Sequence, residues 1–185
     1  MIDILERPEI RRQAAPLSLE GYHVLRDLGL VPVKSELLNG VVVEKMTKSP
    51  LHTLIAHRLY ALLAADLPAG YQLRKEDPLT LVASEPEPDL AIVAGTIDTF
   101  RDHHPDTAEL VVEIAVTSAD LDRAKADLYA AAGIPAYWLI LGRDRAVEVH
   151  SSPVDGRYSH IRRVTQPETL TTWYGTAIQL GKLFA

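Results

Sequence analysis

The sequence predicts an α/β fold with a mixed sheet, and two observations carry that expectation. Asn39-Gly40 stands between the apolar strings Leu37-Leu38 and Val41-Val42-Val43, the signature of an antiparallel hairpin closed by a primed turn. Apolar runs at residues 110–116 and 136–141 flank a segment of helical periodicity, which is the pattern of a strand, a crossover helix and a parallel strand. Hairpins and crossovers together place both antiparallel and parallel pairs in the fold. The chain has 185 residues, 47% of them hydrophobic, enough for one domain with a real core.

The elements follow in order. Residues 1–16 mix charges and prolines without a long apolar run, so they are expected to form an arm rather than a signal peptide or an anchor, with a single domain over 17–185. Ser18 is placed to cap a short amphipathic helix over 19–28, ended by Gly29. After the hairpin, Ser49-Pro50 starts a helix whose buried face is marked by Leu51, Leu54, Ile55, Leu59, Leu62 and Leu63, and which ends at Leu67-Pro68. Short strands are expected at 71–75 and 79–82, then at Leu90-Ala91-Ile92-Val93, opened by Asp89. The crossover helix takes Thr117 or Ser118 as its cap, carries Asp120 and Asp122 in its first turn, and closes at Gly133 before Ile134-Pro135. Further strands are expected at 136–141, 146–150 and 158–164.

Three polar residues stand where apolar ones are expected. Asp89 opens a buried strand and Glu113 interrupts another, and an ionised carboxylate in such a place is costly unless a cation or hydrogen bonds receive it. A magnesium ion takes one or two carboxylates, keeps several waters and leaves room for phosphate oxygens, which suits so sparse an all-oxygen set. Lys125 shares a helix face with Leu121, Leu128 and Ala132, so its amine points where the leucines point. Beside a metal it would orient water or stabilise phosphorane charge; the alternative is that it snorkels outward to Asp122 at i−3. Together these residues predict metal-assisted phosphodiester cleavage.

The ordered strings Glu36-Leu37-Leu38-Asn39-Gly40, Val43-Glu44-Lys45-Met46, Ser49-Pro50-Leu51-His52, Glu87-Pro88-Asp89-Leu90, Leu110-Val111-Val112-Glu113-Ile114, Lys125 with Tyr129, and Gly133-Ile134-Pro135-Ala136-Tyr137-Trp138-Leu139 resemble the Uma2 family, formerly DUF820. That family is placed in the PD-(D/E)XK nuclease superfamily. The resemblance runs from about Leu17 to the C-terminus and implies a restriction-endonuclease-like fold, a mixed central sheet flanked by helices. It implies a magnesium- or manganese-dependent endonuclease, with Asp89 and Glu113 as the metal-binding acids. The superfamily's usual lysine position, two after the acid, holds Ala115 here, so by motif the lysine has moved onto the following helix as Lys125. Arg123, off the apolar face, is the poorer substitute.

Other residues extend the candidate site. Glu44, on a strand among apolar neighbours, is a candidate third acid, with Glu36 the weaker alternative. His52 falls on the family's histidine position, where it either contacts phosphate or supports the acids, or is only a helix-start histidine. His103-His104 beside Asp102 and Asp106 has a metal-like composition without regular ligand spacing. Trp138 is expected in the core and Trp173-Tyr174 at a subunit contact.

Composition bounds the function. With no cysteine, disulfides, thiolate zinc and thiol catalysis are excluded, and a cytoplasmic setting is expected. The net charge of −6 gives no general pull toward nucleic acid, so affinity for it, DNA first, must come from a local basic surface and the metal. Arg7, Arg11 and Arg12, Lys45 and Lys48, and Arg157, Arg162 and Arg163 are the candidates for that surface. Two-strand cleavage calls for two sites, hence an expected homodimer and no membrane partner. The competing class is a non-catalytic binding or oligomerisation module on the same fold.

Overall fold

The chain was analysed as a computed structural model, which describes residues 7–185; residues 1–6 of the expected arm, and the side chain of Arg11, lie outside the described residues. A short helix, α1 (Pro8–Arg11), precedes α2 (Leu19–Asp27). The Ser18 hydroxyl accepts the Gly21 N–H at 3.1 Å and Gly29 adopts a positive φ of 67°, so both ends of α2 are set by the residues expected to set them. The hairpin of β1 (Ser35–Leu38) and β2 (Val41–Glu44) pairs Leu38 with Val41, and both turn residues take positive φ, 47° at Asn39 and 79° at Gly40. That is the backbone a type I′ turn requires. Helix α3 (Pro50–Ala64) begins with the Ser49 hydroxyl accepting the His52 N–H and with proline at its first position.

The main sheet has the order β3-β4-β5-β6-β7-β8, built from β3 (Tyr71–Arg74), β4 (Leu90–Ala94), β5 (Leu110–Ala115), β6 (Ala136–Leu141), β7 (Ala146–Val154) and β8 (Arg157–Thr165). Its pairs are antiparallel except β5 with β6, which are parallel and joined by α4 (Asp120–Ala131). Alternation along the strands sends Leu90, Ile92, Val112, Ile114, Trp138 and Ile140 toward α3, and Ala91, Val93, Val111, Tyr137 and Leu139 toward α4. Glu113 shares the parity of Val111 and therefore faces α4. A Schellman turn ends that helix: the Gly133 N–H bonds the Ala130 carbonyl, the Ile134 N–H bonds the Tyr129 carbonyl, and Gly133 has φ 75°.

Four expectations are corrected, the first being in α3, where Leu51 and Leu54 are exposed rather than on its buried face. Residues 79–82 are no sheet strand; Pro78, Pro86 and Pro88 withhold donors, and the segment doubles back through a Leu81–Ser84 bridge while Leu79 and Leu81 stay buried. Ala119, not Thr117 or Ser118, occupies the cap position of α4, with Ser118 accepting the Asp120 N–H only at 3.4 Å. The buried face of α4 is centred on Lys125, Ala126 and Tyr129, leaving Leu121 exposed. The C-terminal stretch holds a second small sheet, β9 (Thr169–Thr171) with β10 (Ala177–Gln179), and α5 (Leu180–Leu183), which seals the α3 face of the core. Trp138 is in the core as expected, 3% exposed. No helix among the described residues is long and apolar enough to cross a membrane.

Candidate active site

Asp89 lies one residue before β4, opposite Glu113 in the antiparallel register that pairs Leu90 with Val112. The two acids are tied through each other's strands: the Ile114 N–H donates to Asp89 Oδ2 at 2.9 Å, and the Asp89 N–H reaches Glu113 Oε2 at 3.4 Å. From α4, the Lys125 ammonium donates to Glu113 Oε1 at 3.0 Å, and the Tyr129 hydroxyl donates to the same oxygen at 2.9 Å. Lys125 also meets Glu36 Oε1 at 2.7 Å, and it does not run outward to Asp122. From the start of α3, His52 Nε2 sits 2.9 Å from Asp89 Oδ2. Lys48, in the loop before α3, bridges Asp89 Oδ1 and Glu76, each at 2.9 Å. Asp89, Glu113, Lys125 and His52 are thus brought together.

Glu44 is not among them. It is exposed, whereas Glu36 is 2% exposed and carries the ion pair to Lys125. The cause is pleat parity: the hairpin pairs Glu36 with Val43, so Glu44, one residue on, points to the opposite side. Glu36 is the third acid, held in place by the Glu87 N–H at 3.2 Å from Oε2. The His103-His104 stretch forms no metal cluster: His104 meets Arg74 at 3.3 Å, His103 is exposed, and no cluster of at least three metal-ligating side chains forms among the described residues.

The electrostatics separate the two central acids. For Asp89, burial would raise the pKa, but His52 and Lys48 overcome it and hold the carboxyl below its usual value. For Glu113, burial dominates, Lys125 offsets only part of it, and Asp89, Asp122 and Glu36 add repulsion, so the group is pushed up to about 8. Burial also raises Asp122, to about 6. The Lys125 amine is held above its ordinary value, since Glu113, Glu36 and Asp122 together outweigh the burial that would lower it. One ammonium therefore serves several buried carboxyl groups, and the cluster carries more acid than fixed cation. Acids whose surroundings drive their pKa values apart are the usual material of a hydrolytic site.

A hard divalent cation fits these residues. The donors at Asp89 and Glu113 are carboxylate oxygens with no thiolate or histidine pair to favour a softer metal. Among the described residues Glu113 Oε2 has as its partner only a long main-chain N–H bond, and the Lys48 ammonium stands against Asp89 where a cation is wanted. The Nδ1 of His52 is buried without a partner among the described residues, leaving one hydrogen-bonding atom of the site uncommitted.

Comparison with known proteins places the chain. The Uma2 family model, described as "Putative restriction endonuclease", matches residues 24–174. No curated protein matches. Among solved structures, the crystal structure of "a putative nuclease belonging to DUF820" from Anabaena variabilis superposes with a TM-score of 0.75 at 15% sequence identity, covering 91% of this chain and 98% of that chain. At that identity the likeness establishes a shared fold.

Proposed function

The chain belongs to the Uma2 family, and on that premise we propose that it is a magnesium- or manganese-dependent endonuclease hydrolysing phosphodiester bonds in nucleic acid, DNA first. The supporting observation is the convergence of Asp89 and Glu113 from adjacent strands with the Lys125 ammonium 3.0 Å from Glu113. Asp89 and Glu113 would hold the ion, and when bound it would supply a Lewis acid for phosphate and a more acidic water. Ile114 N–H and His52 fix the Asp89 carboxylate, while Tyr129 and Lys125 fix that of Glu113. Glu36 holds Lys125 from the other side and keeps its charge at the site, where it stabilises the phosphorane. His52 acts through Nε2, which holds the Asp89 carboxylate, while its Nδ1 stays buried. The chain acts as a homodimer in the cytoplasm, two sites serving two strands.

A second reading, a non-catalytic module, has one observation in its favour: Lys48, His52 and Lys125 already satisfy much of the acid network. The test is cleavage of supercoiled plasmid, linear duplex, single-stranded DNA and RNA with Mg²⁺, Mn²⁺ or chelator, comparing the parent with Asp89→Asn. Metal-dependent cleavage lost in the variant is expected. Parent protein inert on all four substrates, at every metal, would establish the module instead.

A further inference from the structure

About half of the chain's cations pair with a carboxylate among the described residues. Lys45 pairs with Glu87, Lys48 with Glu76 and Asp89, Arg123 with Glu148, Arg162 with Glu168, and Arg163 with Asp144. Of the basic groups singled out in the sequence, those at 45–48 and 162–163 are thus committed to carboxylates. Arg143, at the end of β6, has no hydrogen bond or ion pair among the described residues and is exposed. Two other arginines share its groove. Arg58 donates to main-chain carbonyls of Leu183 and Ala185, and Arg145 to that of Phe184. Carbonyls position these side chains without cancelling their charge. A carboxylate at Ala185 would offset one of the three positive charges and leave a surplus.

The place of this cluster matters as much as its sign. Arg143 stands between two hollows. One, of about 200 Å³, is lined by Ala115, Thr117 and Ser118, with Arg123 and Asp144 also there but paired with Glu148 and Arg163; the other, of about 240 Å³, lies between α3 and the C-terminal stretch and holds Arg58 and Arg145. Ala115 is two residues beyond Glu113 on the same face of β5, roughly 7 Å along the strand. Ile55, which touches Gly142 at the floor of the second hollow, is one turn along α3 from His52. Both hollows therefore open at the end of the sheet where the acids lie. A span of about 7 Å, laid along a duplex axis, is on the order of two nucleotide steps at 3.4 Å each. Two hydroxyls and a partnerless guanidinium in the first hollow are donors suited to phosphate oxygens.

We propose that the surface crossing the ends of β5 and β6, formed by Arg143 with Thr117 and Ser118 on one side and Arg58 and Arg145 on the other, binds the phosphodiester backbone of the nucleic-acid strand leaving the active site. It deepens the nuclease reading and rests on it. It also answers the acidic balance of the chain, because a local run of uncompensated arginines supplies the attraction that a net charge of −6 does not.

The experiment measures binding apart from cleavage. Fluorescence anisotropy of labelled duplex and single-stranded DNA, in chelator and across a salt series, is recorded for the parent, Arg143→Ala, Arg143→Glu and the control Arg157→Ala. Arg157, on β8, is exposed, has no side-chain partner among the described residues and lies outside both hollows, so this second basic candidate of the sequence tests whether any exposed arginine would serve as well. Losing one phosphate contact lowers the slope of log affinity against log salt by about 0.9 for duplex and about 0.7 for single strands. Arg143→Ala is expected to show that drop with a several-fold loss of affinity at low salt, Arg143→Glu a larger loss, and Arg157→Ala neither. Parent-like binding by Arg143→Glu, an equal loss in Arg157→Ala, or no binding by the parent would each overturn the surface. Binding that depends on Arg143 in a protein that cuts nothing would keep the surface and sink the hydrolysis; normal cleavage with binding indifferent to Arg143 would do the reverse.

Discussion

Replacing Lys125 with methionine separates what the lysine does for the fold from what it does for the chemistry. Lys125 is buried on α4 and its ammonium contacts Glu36 at 2.7 Å and Glu113 at 3.0 Å, with all three side chains at most 6% exposed. Methionine keeps the stem and removes the charge. Removing one partner of a buried ion pair typically costs about 3–5 kcal/mol, because the other charge is left unpaired. Glu113, already pushed up to about 8 in the parent, can keep its proton, so the penalty falls on Glu36, which loses its 2.7 Å partner and escapes only by taking up a proton in the variant. Raising a glutamate from its ordinary 4.5 so that it stays neutral at neutral pH costs about 3 kcal/mol, at roughly 1.4 kcal/mol per unit. The loss should therefore be about 3–5 kcal/mol near pH 7 and shrink toward 1 kcal/mol near pH 5. The folded variant binds protons that the unfolded chain has released, so its stability must fall as pH rises above the unfolded value. Urea unfolding of parent and variant at both pH values is the assay, with cleavage measured alongside. A penalty below about 1 kcal/mol that does not change with pH would refute the buried-pair argument and put the ammonium in solvent.

Two further predictions concern the same cluster. In metal-free parent protein, Glu113 at about 8 and Asp122 at about 6 both have folded pKa values above their unfolded ones, so stability should decline as pH climbs from about 4 through 8. Mg²⁺ should raise the melting temperature more at pH 8 than at pH 6, since it competes with those protons, and a flat pH profile with no metal effect would count against the excess-acid reading. Glu36→Gln should weaken cleavage and shift the pH profile, because it removes one of the two carboxylates holding Lys125, while Glu44→Gln should behave as the parent in both assays.

The fold was largely legible because its decisive signals are local. Asn39-Gly40 dictates its turn through positive φ, Ser49-Pro50 starts its helix, and Gly133 ends another, each through the chemistry of one or two residues. The apolar runs of β4, β5 and β6 are legible for the same reason. The segment at 79–82 misled because its alternation is that of a strand, whereas prolines elsewhere in the loop decide its path. Strands β9 and β10 and helix α5 are three or four residues long, below the length at which any period is readable. Within the site, Asp89, Glu113 and Lys125 betray themselves as polar residues in apolar surroundings. Glu36 does not. The turn register shows that Glu36 and Glu44 face opposite sides, but which side the domain covers is a tertiary fact. Lys48 lies in a loop whose course is set by Glu76 and Asp89, far away in sequence.

Strand β8 closes one end of the main sheet with nine residues, Arg157–Thr165, and most of its side chains are exposed. A strand of that length with a free edge is a template on which another chain can add by main-chain hydrogen bonds. Its sequence works against this. Arg157, His160, Arg162 and Arg163 stud it, and long charged side chains along an edge discourage a second strand from adding there, even where Arg162 and Arg163 pair with Glu168 and Asp144. The arginines that the sequence offers as a contact for nucleic acid thus act as gatekeepers against sheet extension. Any two-fold assembly of this chain must then be built from another face of the molecule.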